Sequence, residues 1–261
     1  MELENPFNPP AGRILDFLSY GGGVQSTAMI MLAIEGVIER PDYVVFADTG
    51  SEMPHTYELV EKMKEICKEA ELEFVTVKAE QPLHERYLER GGVPVIGIRS
   101  CTGTWKVEPI NRFMRSRVGM GRGRVLARSW IGITTDERRR ATPSTNLWVE
   151  RKYPLLEVYM SRDDCIHYLK KKEIIAKKSG CFLCPYQHAH QWSKLKREHP
   201  DLFDLALELE RKAKATRGFK GGLWGSSRSI EAFNHDSTLE DFGFDIAVES
   251  ETCAVSGSCF I

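Results

Sequence analysis

The chain has 261 residues, of which 42% are hydrophobic, and its formal net charge is −1. This length is enough to bury a substantial core in one or two domains. No apolar run approaches the ~18 residues of a membrane-spanning helix, and the first residues lack the basic and apolar pattern of a secretion signal, so we expect a cytoplasmic protein with no membrane partner.

The first predicted elements are a strand over residues 14–18 and a helix over 27–39, joined by a glycine-rich loop. Glycines allow backbone N–H groups to approach an anion and tolerate positive φ, and hydroxyl groups follow in the first helical turn. We therefore predict a phosphate-binding loop, although glycine in such a turn also serves packing. The candidate ligand-binding residues are Ser19, Gly21, Gly22, Gly23, Gln25, Ser26 and Thr27.

A second strand is predicted over residues 42–47, and the polar residues Asp48, Thr49 and Gly50 follow it directly. Open parallel sheets bind ligands at the carboxyl ends of their strands. These three residues are therefore predicted to complete the nucleotide site, with Asp48 as a catalytic candidate. A helix over 53–70, on whose apolar face Cys67 is expected to pack, leads to a third strand over 73–77.

The later elements are a helix over residues 107–117, a strand over 129–133 and helices over 162–172 and 188–214. This alternation predicts an α/β fold with a twisted, mainly parallel sheet, helices on both faces and a helical C-terminal part. We predict a nucleotide-binding domain over 1–220. Residues 221–261 form the predicted C-terminal extension, which is rich in Gly and Ser and is expected to wind over the surface.

The seven cysteines are not expected to form disulfides in a cytoplasmic chain. Cys181 and Cys184 form a CxxC motif followed by proline, and Cys101 lies 80 residues upstream. The CxxC spacing indicates that these two thiolates bind one metal ion or cluster, and an iron–sulfur cluster, a zinc site and a redox dithiol are the alternatives. Cys165, on a predicted helix, is expected to be a core residue.

Positive charge is unevenly distributed along the chain. Residues 111–140 contain nine Arg and two acidic residues, and residues 170–220 contain thirteen Lys or Arg and six acidic residues. Such clusters bind phosphate backbones, but they also occur on ordinary solvated helix faces and around a single nucleotide. Nucleic acid is therefore kept as one of the alternative partners.

The glycine loop and the Asp48-Thr49-Gly50 segment together resemble the PP-loop adenine-nucleotide hydrolase superfamily. Within it, they resemble the branch of the sulfonucleotide (PAPS and APS) reductases and the PP-loop protein of DNA phosphorothioation. The resemblance implies ATP or a related adenine nucleotide as cofactor. Mg²⁺ is left open, because Gln25 stands where many of these ATPases have Asp. The loop is not a Walker A motif, since it lacks the terminal G-K-[ST].

Two further segments extend the resemblance. Residues 99–110 resemble the C-C-x-x-R-K-V-x-P-L segment of APS reductases, with Ser100 in place of the first cysteine. The resemblance implies that Cys101, Cys181 and Cys184 are the thiolate ligands of a 4Fe–4S cluster, which is favoured over zinc or no metal. The fourth iron position is then open or taken by another ligand. Residues 130–140 resemble G-I-R-x-x-E-S-x-x-R, in which arginines bind the phosphates or sulfate of the nucleotide. Thr134 replaces the first of these arginines, and Arg140 keeps the last position as a catalytic candidate.

Three functions are compatible with these features. The favoured function is an ATP-dependent sulfurtransferase that adenylates an acceptor and then transfers sulfur to it. The second is a sulfonucleotide reductase with Cys253 or Cys259, in the C-terminal tail, as the nucleophile. The third is a nucleotide-dependent nucleic-acid-binding module. The expected partners are an adenine nucleotide and a sulfur or electron donor, with nucleic acid and a second copy of the chain as open alternatives.

Overall fold

The computed structural model describes residues 13–98, 100–119 and 125–235, and these residues contain one five-stranded sheet. Its strands are β1 (Leu15–Tyr20), β2 (Tyr43–Asp48), β3 (Phe74–Lys78), β4 (Ala127–Trp130) and β5 (Val149–Lys152). Every neighbouring pair is parallel, in the order β3-β2-β1-β4-β5. The predicted α/β fold with a parallel sheet is confirmed.

Helices connect these strands and continue beyond β5. They are α1 (Val24–Ile34), α2 (Pro54–Glu69), α3 (Leu83–Arg90), α4 (Ser100–Thr102), α5 (Glu108–Val118), α6 (Pro154–Glu157), α7 (Arg162–Lys171), α8 (Ala189–Glu198), α9 (Pro200–Arg217) and α10 (Ala232–His235). A π-helical turn, Gly103–Val107, joins α4 to α5, and a 3₁₀ helix, Thr135–Arg140, follows β4. In this part of the chain, no helix is long and apolar enough to cross a bilayer.

Both faces of the sheet are covered by helices because side chains alternate along each strand. Leu18 and Phe46 belong to a core that also contains buried residues of α1, α2 and α7. Phe17 and Val45 point to the other face, where they share a core with Met114 of α5. The two-residue period of the strands therefore places helices on both faces, as the sequence predicts.

A third hydrophobic core lies among the C-terminal helices. It contains Trp192 of α8 and Phe203 of α9, and Leu223 and Ile230 are fully buried within it. The buried carboxylate of Glu210 accepts hydrogen bonds from the N–H groups of Leu223 (2.7 Å) and Ile230 (3.1 Å). The expectation that the chain beyond residue 220 winds over the surface is wrong for residues 221–235, because their apolar side chains complete this core.

Some predicted boundaries also differ from the structure. The helix predicted over 188–214 is two helices, since α9 begins at Pro200, which fixes φ and has no N–H to donate within α8. Helix α1 begins at Val24, three residues earlier than predicted, because Gly23 is its N-cap. Strand β5 and helices α3 and α6 have no counterpart among the predicted elements.

The strand order creates a crevice at the carboxyl ends of β1 and β4. β2 and β4 lie on opposite sides of β1, so the connections after β1 and after β4 diverge from each other. Such a change of direction is where open α/β sheets bind ligands. The glycine loop follows β1 at this point, and Ile131 and Gly132 follow β4.

Candidate functional site

The glycine loop presents backbone N–H groups at the start of α1. Gly23 is the N-cap of this helix, and no side chain caps its first turn. Gly22 has φ of +69°, and a Cβ atom there would lie 2.6 Å from Cγ2 of Thr56. Both the positive φ and the contact with α2 therefore require glycine. The uncapped N–H groups carry partial positive charge, which favours an anion such as phosphate.

The two hydroxyls at the start of α1 are bonded within the loop. Ser26 Oγ donates to the Gly23 carbonyl at 3.2 Å and accepts from the Gly21 N–H at 3.3 Å. Thr27 Oγ1 donates to the same carbonyl at 2.8 Å and is fully buried beside Tyr20. These bonds hold the loop in shape. Ser26 also lines the crevice, whereas Thr27 does not, so Thr27 contributes to loop structure.

A small cavity of about 60 Å³ lies between the glycine loop and the connection after β4. Its walls include the predicted residues Ser19, Gly21, Gly23, Gln25 and Ser26. Gly132 closes the opposite side, where a Cβ atom would lie 3.2 Å from the Ser26 nitrogen. We call this space the loop cavity. The structure brings most of the predicted phosphate-binding residues together here.

Asp48 lies at the end of β2 in a network of hydrogen bonds. Its carboxylate accepts from the Gly50 N–H and the Tyr57 hydroxyl, each at 2.8 Å, and pairs with Lys78 at 2.9 Å. Burial by itself would raise the pKa of Asp48, but Lys78, Gly50 and Tyr57 together lower it. Asp48 does not line the loop cavity, although its neighbour Ala47 does. The contacts of Asp48 hold the turn that carries Thr49 and Gly50.

We expect Asp48→Asn to lower the free energy of unfolding by about 1–3 kcal/mol at pH 7, because a buried hydrogen-bonded carboxylate loses its charge. The pKa of Asp48 in the folded protein lies below its ordinary value of 3.8. The charged form therefore stabilises the fold above that pH, and this contribution disappears as the pH falls through the lowered pKa. Urea unfolding at pH 7, 4.5 and 3 measures the difference between wild type and variant. A difference that stays constant over this range would contradict the assignment.

The three predicted ligand cysteines line a second, larger space of about 440 Å³, which we call the cysteine cavity. Cys101 lies in α4, and Cys181 and Cys184 form a turn in which the Cys184 N–H donates to the Cys181 carbonyl at 3.1 Å. This turn is attached to the segment after β2. The Met53 N–H donates to the Gly180 carbonyl (3.0 Å), and the Phe182 N–H donates to the Ser51 carbonyl (3.1 Å).

The chemistry of the cysteine cavity fits an iron–sulfur group. Burial raises the pKa of Cys181 well above its usual range and that of Cys184 to about 11. Without a cation these thiols are neutral, whereas a bound metal stabilises the thiolate form. Within residues 13–98, 100–119 and 125–235, no three His, Cys, Asp or Glu side chains are grouped closely enough to hold a single metal ion. The shared cavity nevertheless places three sulfur donors around one space.

Two other cysteines belong to the hydrophobic core, as predicted. Cys67 on α2 and Cys165 on α7 are completely buried in the core that covers one face of the sheet. Burial raises the pKa of each thiol to about 12. Both side chains pack against apolar neighbours and lie away from the cysteine cavity.

An ion pair between a buried glutamate and a partly exposed lysine lies between the two cavities, and no role is predicted for it from the sequence. Lys106 Nζ lies 2.9 Å from Glu52 Oε1, and the Thr49 hydroxyl donates to the same oxygen at 3.0 Å. Burial opposes the charge of Lys106, but the Glu52 carboxylate raises its pKa overall. Lys106 therefore stays protonated, and it lines both cavities. The signal in the sequence that points to Lys106 is its position within residues 99–110, the segment that contains Cys101.

The positive charge of the cysteine cavity extends to its rim. Lys177, Lys178 and Lys194 all line it and outnumber the two acidic residues there, Glu58 and Glu198. Burial lowers the pKa of His55, and the nearby charges of Lys177 and Lys194 lower it further. A hydrogen bond to the Lys178 carbonyl raises this pKa but does not outweigh them. The rim therefore favours a ligand that carries negative charge.

The remaining predicted residues lie outside these two cavities. Arg140, in the 3₁₀ helix, pairs with Glu137 at 2.7 Å and lines neither cavity. Thr134, which stands where the resemblance has an arginine, is completely buried. The tail residues Cys253 and Cys259 lie outside the described residues.

Comparison with known proteins identifies a family model described as the phosphoadenosine phosphosulfate reductase domain, which matches residues 16–176. Two uncharacterized proteins of Methanocaldococcus jannaschii are also similar. One is 27% identical over 225 residues, 79% of this chain and 45% of that protein. The other is 26% identical over 215 residues, 73% of this chain and 46% of that protein. The chain thus spans about half the length of these curated relatives.

Two solved structures are similar to this chain. One is the phosphoadenylyl-sulfate reductase from Candida auris in complex with phosphate, with 13% identity and a TM-score of 0.48, covering 65% of this chain and 82% of that one. The other is the U34-tRNA thiolase NcsA from Methanococcus maripaludis with its 4Fe–4S cluster. It has 16% identity and a TM-score of 0.44, covering 87% of this chain and 82% of that one.

Proposed function

The chain belongs to the phosphoadenosine phosphosulfate reductase family, and on this premise we propose that it binds an adenine nucleotide at the glycine loop for sulfur chemistry at the neighbouring cysteines. The reaction we propose is ATP-dependent sulfur transfer. An oxygen of the acceptor attacks the α-phosphate of ATP and pyrophosphate leaves. A sulfur nucleophile then attacks the adenylated carbon, and AMP leaves.

The observation that supports this proposal is the shared wall between the two cavities. Thr102, Lys106 and Ser179 line both the loop cavity and the cysteine cavity. A nucleotide phosphate at the start of α1 would therefore lie next to the space that contains the cysteines. Two reacting groups held at neighbouring sites react far faster than the same groups free in solution.

Each element of the site has a separate task in this reaction. The uncapped N–H groups of α1 hold the phosphates, and protonated Lys106 offsets the negative charge that develops on them. Cys101, Cys181 and Cys184 would hold a 4Fe–4S cluster, which supplies sulfur when bound. The 440 Å³ of the cysteine cavity leaves room for part of an acceptor, and its lysines favour an acceptor with negative charge. Arg140 and Asp48 remain candidates for catalytic roles, and Mg²⁺ remains a candidate cofactor.

A second candidate function is reduction of a sulfonucleotide, which the matched family model itself favours. In that reaction a tail thiol, Cys253 or Cys259, attacks the sulfur of the nucleotide, and AMP or its phosphorylated form leaves. The completely buried Thr134 supplies no positive charge at the position where the resemblance implies an arginine for the phosphates or sulfate. This difference favours ATP over a sulfonucleotide.

We expect anaerobically prepared protein to release pyrophosphate from ATP in the presence of acceptor and to release no sulfite from PAPS or APS, even with a thiol reductant present to free sulfite from a cysteine. Pyrophosphate and sulfite assays on the same preparation measure both activities, and Lys106→Met is expected to lower pyrophosphate release by at least about tenfold through loss of its charge. Sulfite release that disappears in Cys253→Ser or Cys259→Ser would instead establish the reductase. Salt-sensitive nucleic-acid binding without either product would support the binding-module alternative.

A further inference from the structure

We infer that the hydroxyl of Ser179, which lies in the segment that carries the CxxC motif, is a ligand of the nucleotide phosphate. Through this contact, nucleotide binding is coupled to the reactivity of the Cys181 and Cys184 thiols. This inference rests on the proposed nucleotide site at the glycine loop. It adds a residue on the cysteine side of that site and a direct connection between the two cavities.

The first support is the environment of the Ser179 side chain. Ser179 is only 6% exposed, and its Oγ atom has no hydrogen-bond partner in the described part of the chain. A buried hydroxyl without a partner destabilises the protein, so such groups are rare unless a ligand or water satisfies them. Ser179 lines both cavities, so a ligand in either one can reach it.

The second support is the position of Ser179 relative to α1. A Cβ atom built on Gly23 would lie 3.0 Å from Ser179 Oγ, so the hydroxyl lies directly against the N-cap of the helix. That helix has eleven residues, and no side chain caps its first turn. Ser179 therefore lies beside N–H groups that already favour an anion. A phosphate bound to them would meet the unused hydroxyl on its other side.

The third support is the connection from Ser179 to the cysteines. Ser179 precedes Cys181 by two residues, and the intervening Gly180 accepts a hydrogen bond from the Met53 N–H at 3.0 Å. A phosphate that holds Ser179 would thus restrain the start of the CxxC turn as well as the glycine loop. By linkage, if bound nucleotide changes the affinity of the cysteines for a ligand by some factor, that ligand changes nucleotide affinity by the same factor.

Ser179→Ala tests this inference, and Ser116→Ala is the control, because Ser116 is exposed on α5, lines neither cavity, and its hydroxyl donates to the Phe113 carbonyl. Two quantities are measured on the full chain. One is ATP affinity by calorimetry. The other is the rate at which iodoacetamide labels Cys181 and Cys184, with and without ATP, followed by mass spectrometry. We expect Ser179→Ala to weaken ATP binding about tenfold, as for one hydrogen bond to a charged group. In this variant saturating ATP should no longer slow labelling.

The possible results separate this inference from the function on which it rests. If ATP does not bind wild type, the proposed function fails. If ATP binds wild type and Ser179→Ala equally well, the nucleotide site stands and the role of Ser179 is overturned. If affinity falls but ATP still slows labelling in the variant, Ser179 is a ligand and the coupling is overturned. Wild-type behaviour of Ser116→Ala shows that a lost serine hydroxyl alone has neither effect.

Discussion

We expect Gly22→Val to abolish measurable ATP binding, with a loss of at least about 100-fold, which corresponds to about 2.7 kcal/mol. The positive φ of +69° at this position costs a residue with a Cβ atom about 1–2 kcal/mol. In addition, that Cβ atom would lie 2.6 Å from Thr56 Cγ2, so the loop must move away from α2. Phosphate binding depends on the backbone positions of this loop, and calorimetry with ATP measures the loss.

The control for backbone strain is Gly36→Val. Gly36 has a similar φ of +73°, but a Cβ atom there has no neighbour within 4 Å. This variant should lose stability and retain ATP binding. Gly23→Ala provides a milder test, because φ at Gly23 is −110° and the new methyl group would lie 3.0 Å from Ser179 Oγ. It should weaken ATP binding with little change in stability. Normal affinity in folded Gly22→Val would remove the nucleotide from this loop.

We expect anaerobically purified protein to contain about four irons per chain, and alanine at Cys101, Cys181 or Cys184 to remove most of them. The three cysteines line one cavity, and burial raises the pKa of Cys181 and Cys184, so we expect these two side chains to carry charge only when a cluster is bound. Iron and sulfide analysis, together with the visible absorption spectrum, measures the cluster in each variant.

Cys165→Ala is the matched control for the cysteine variants. Cys165 is completely buried, whereas the proposed ligands are only partly buried, and it lies in the core beside α1 and away from the cysteine cavity. The variant should lose some stability through its small cavity and keep its iron. Stoichiometric zinc without iron in the wild type would establish the zinc alternative. Equal iron content in wild type and Cys181→Ala would remove this residue from the ligand set.

The first half of the fold could be predicted well because its signals are local. Apolar runs of strand length alternate with helical periodicity through residue 77, and the glycine loop and Asp48-Thr49-Gly50 lie directly after two of the strands. The later elements have weaker signals. β5 consists of Val149–Lys152, with the sequence VERK, which has little apolar alternation to indicate a strand.

The residue types of the site could likewise be read from the chain, but their mutual positions could not. Ser179 and Gly23 are separated by 156 residues, and only the attachment of the CxxC turn to the segment after β2 brings them together. The same is true of Glu52 and Lys106, whose pairing depends on how the π-helical turn packs. A serine or a glutamate in isolation indicates no particular partner, so periodicity cannot identify these contacts.

By itself, the sequence determined the parallel α/β class, the glycine loop and the CxxC pair, because each depends on short-range spacing and on backbone preferences, and the family resemblance added Cys101 as a candidate ligand. The tertiary structure alone decided that the loop and the cysteines adjoin through Thr102, Lys106 and Ser179. It also decided that residues 221–235 complete a hydrophobic core. Both results depend on which distant surfaces bury each other, and burial is a property of the packed chain that no local pattern encodes.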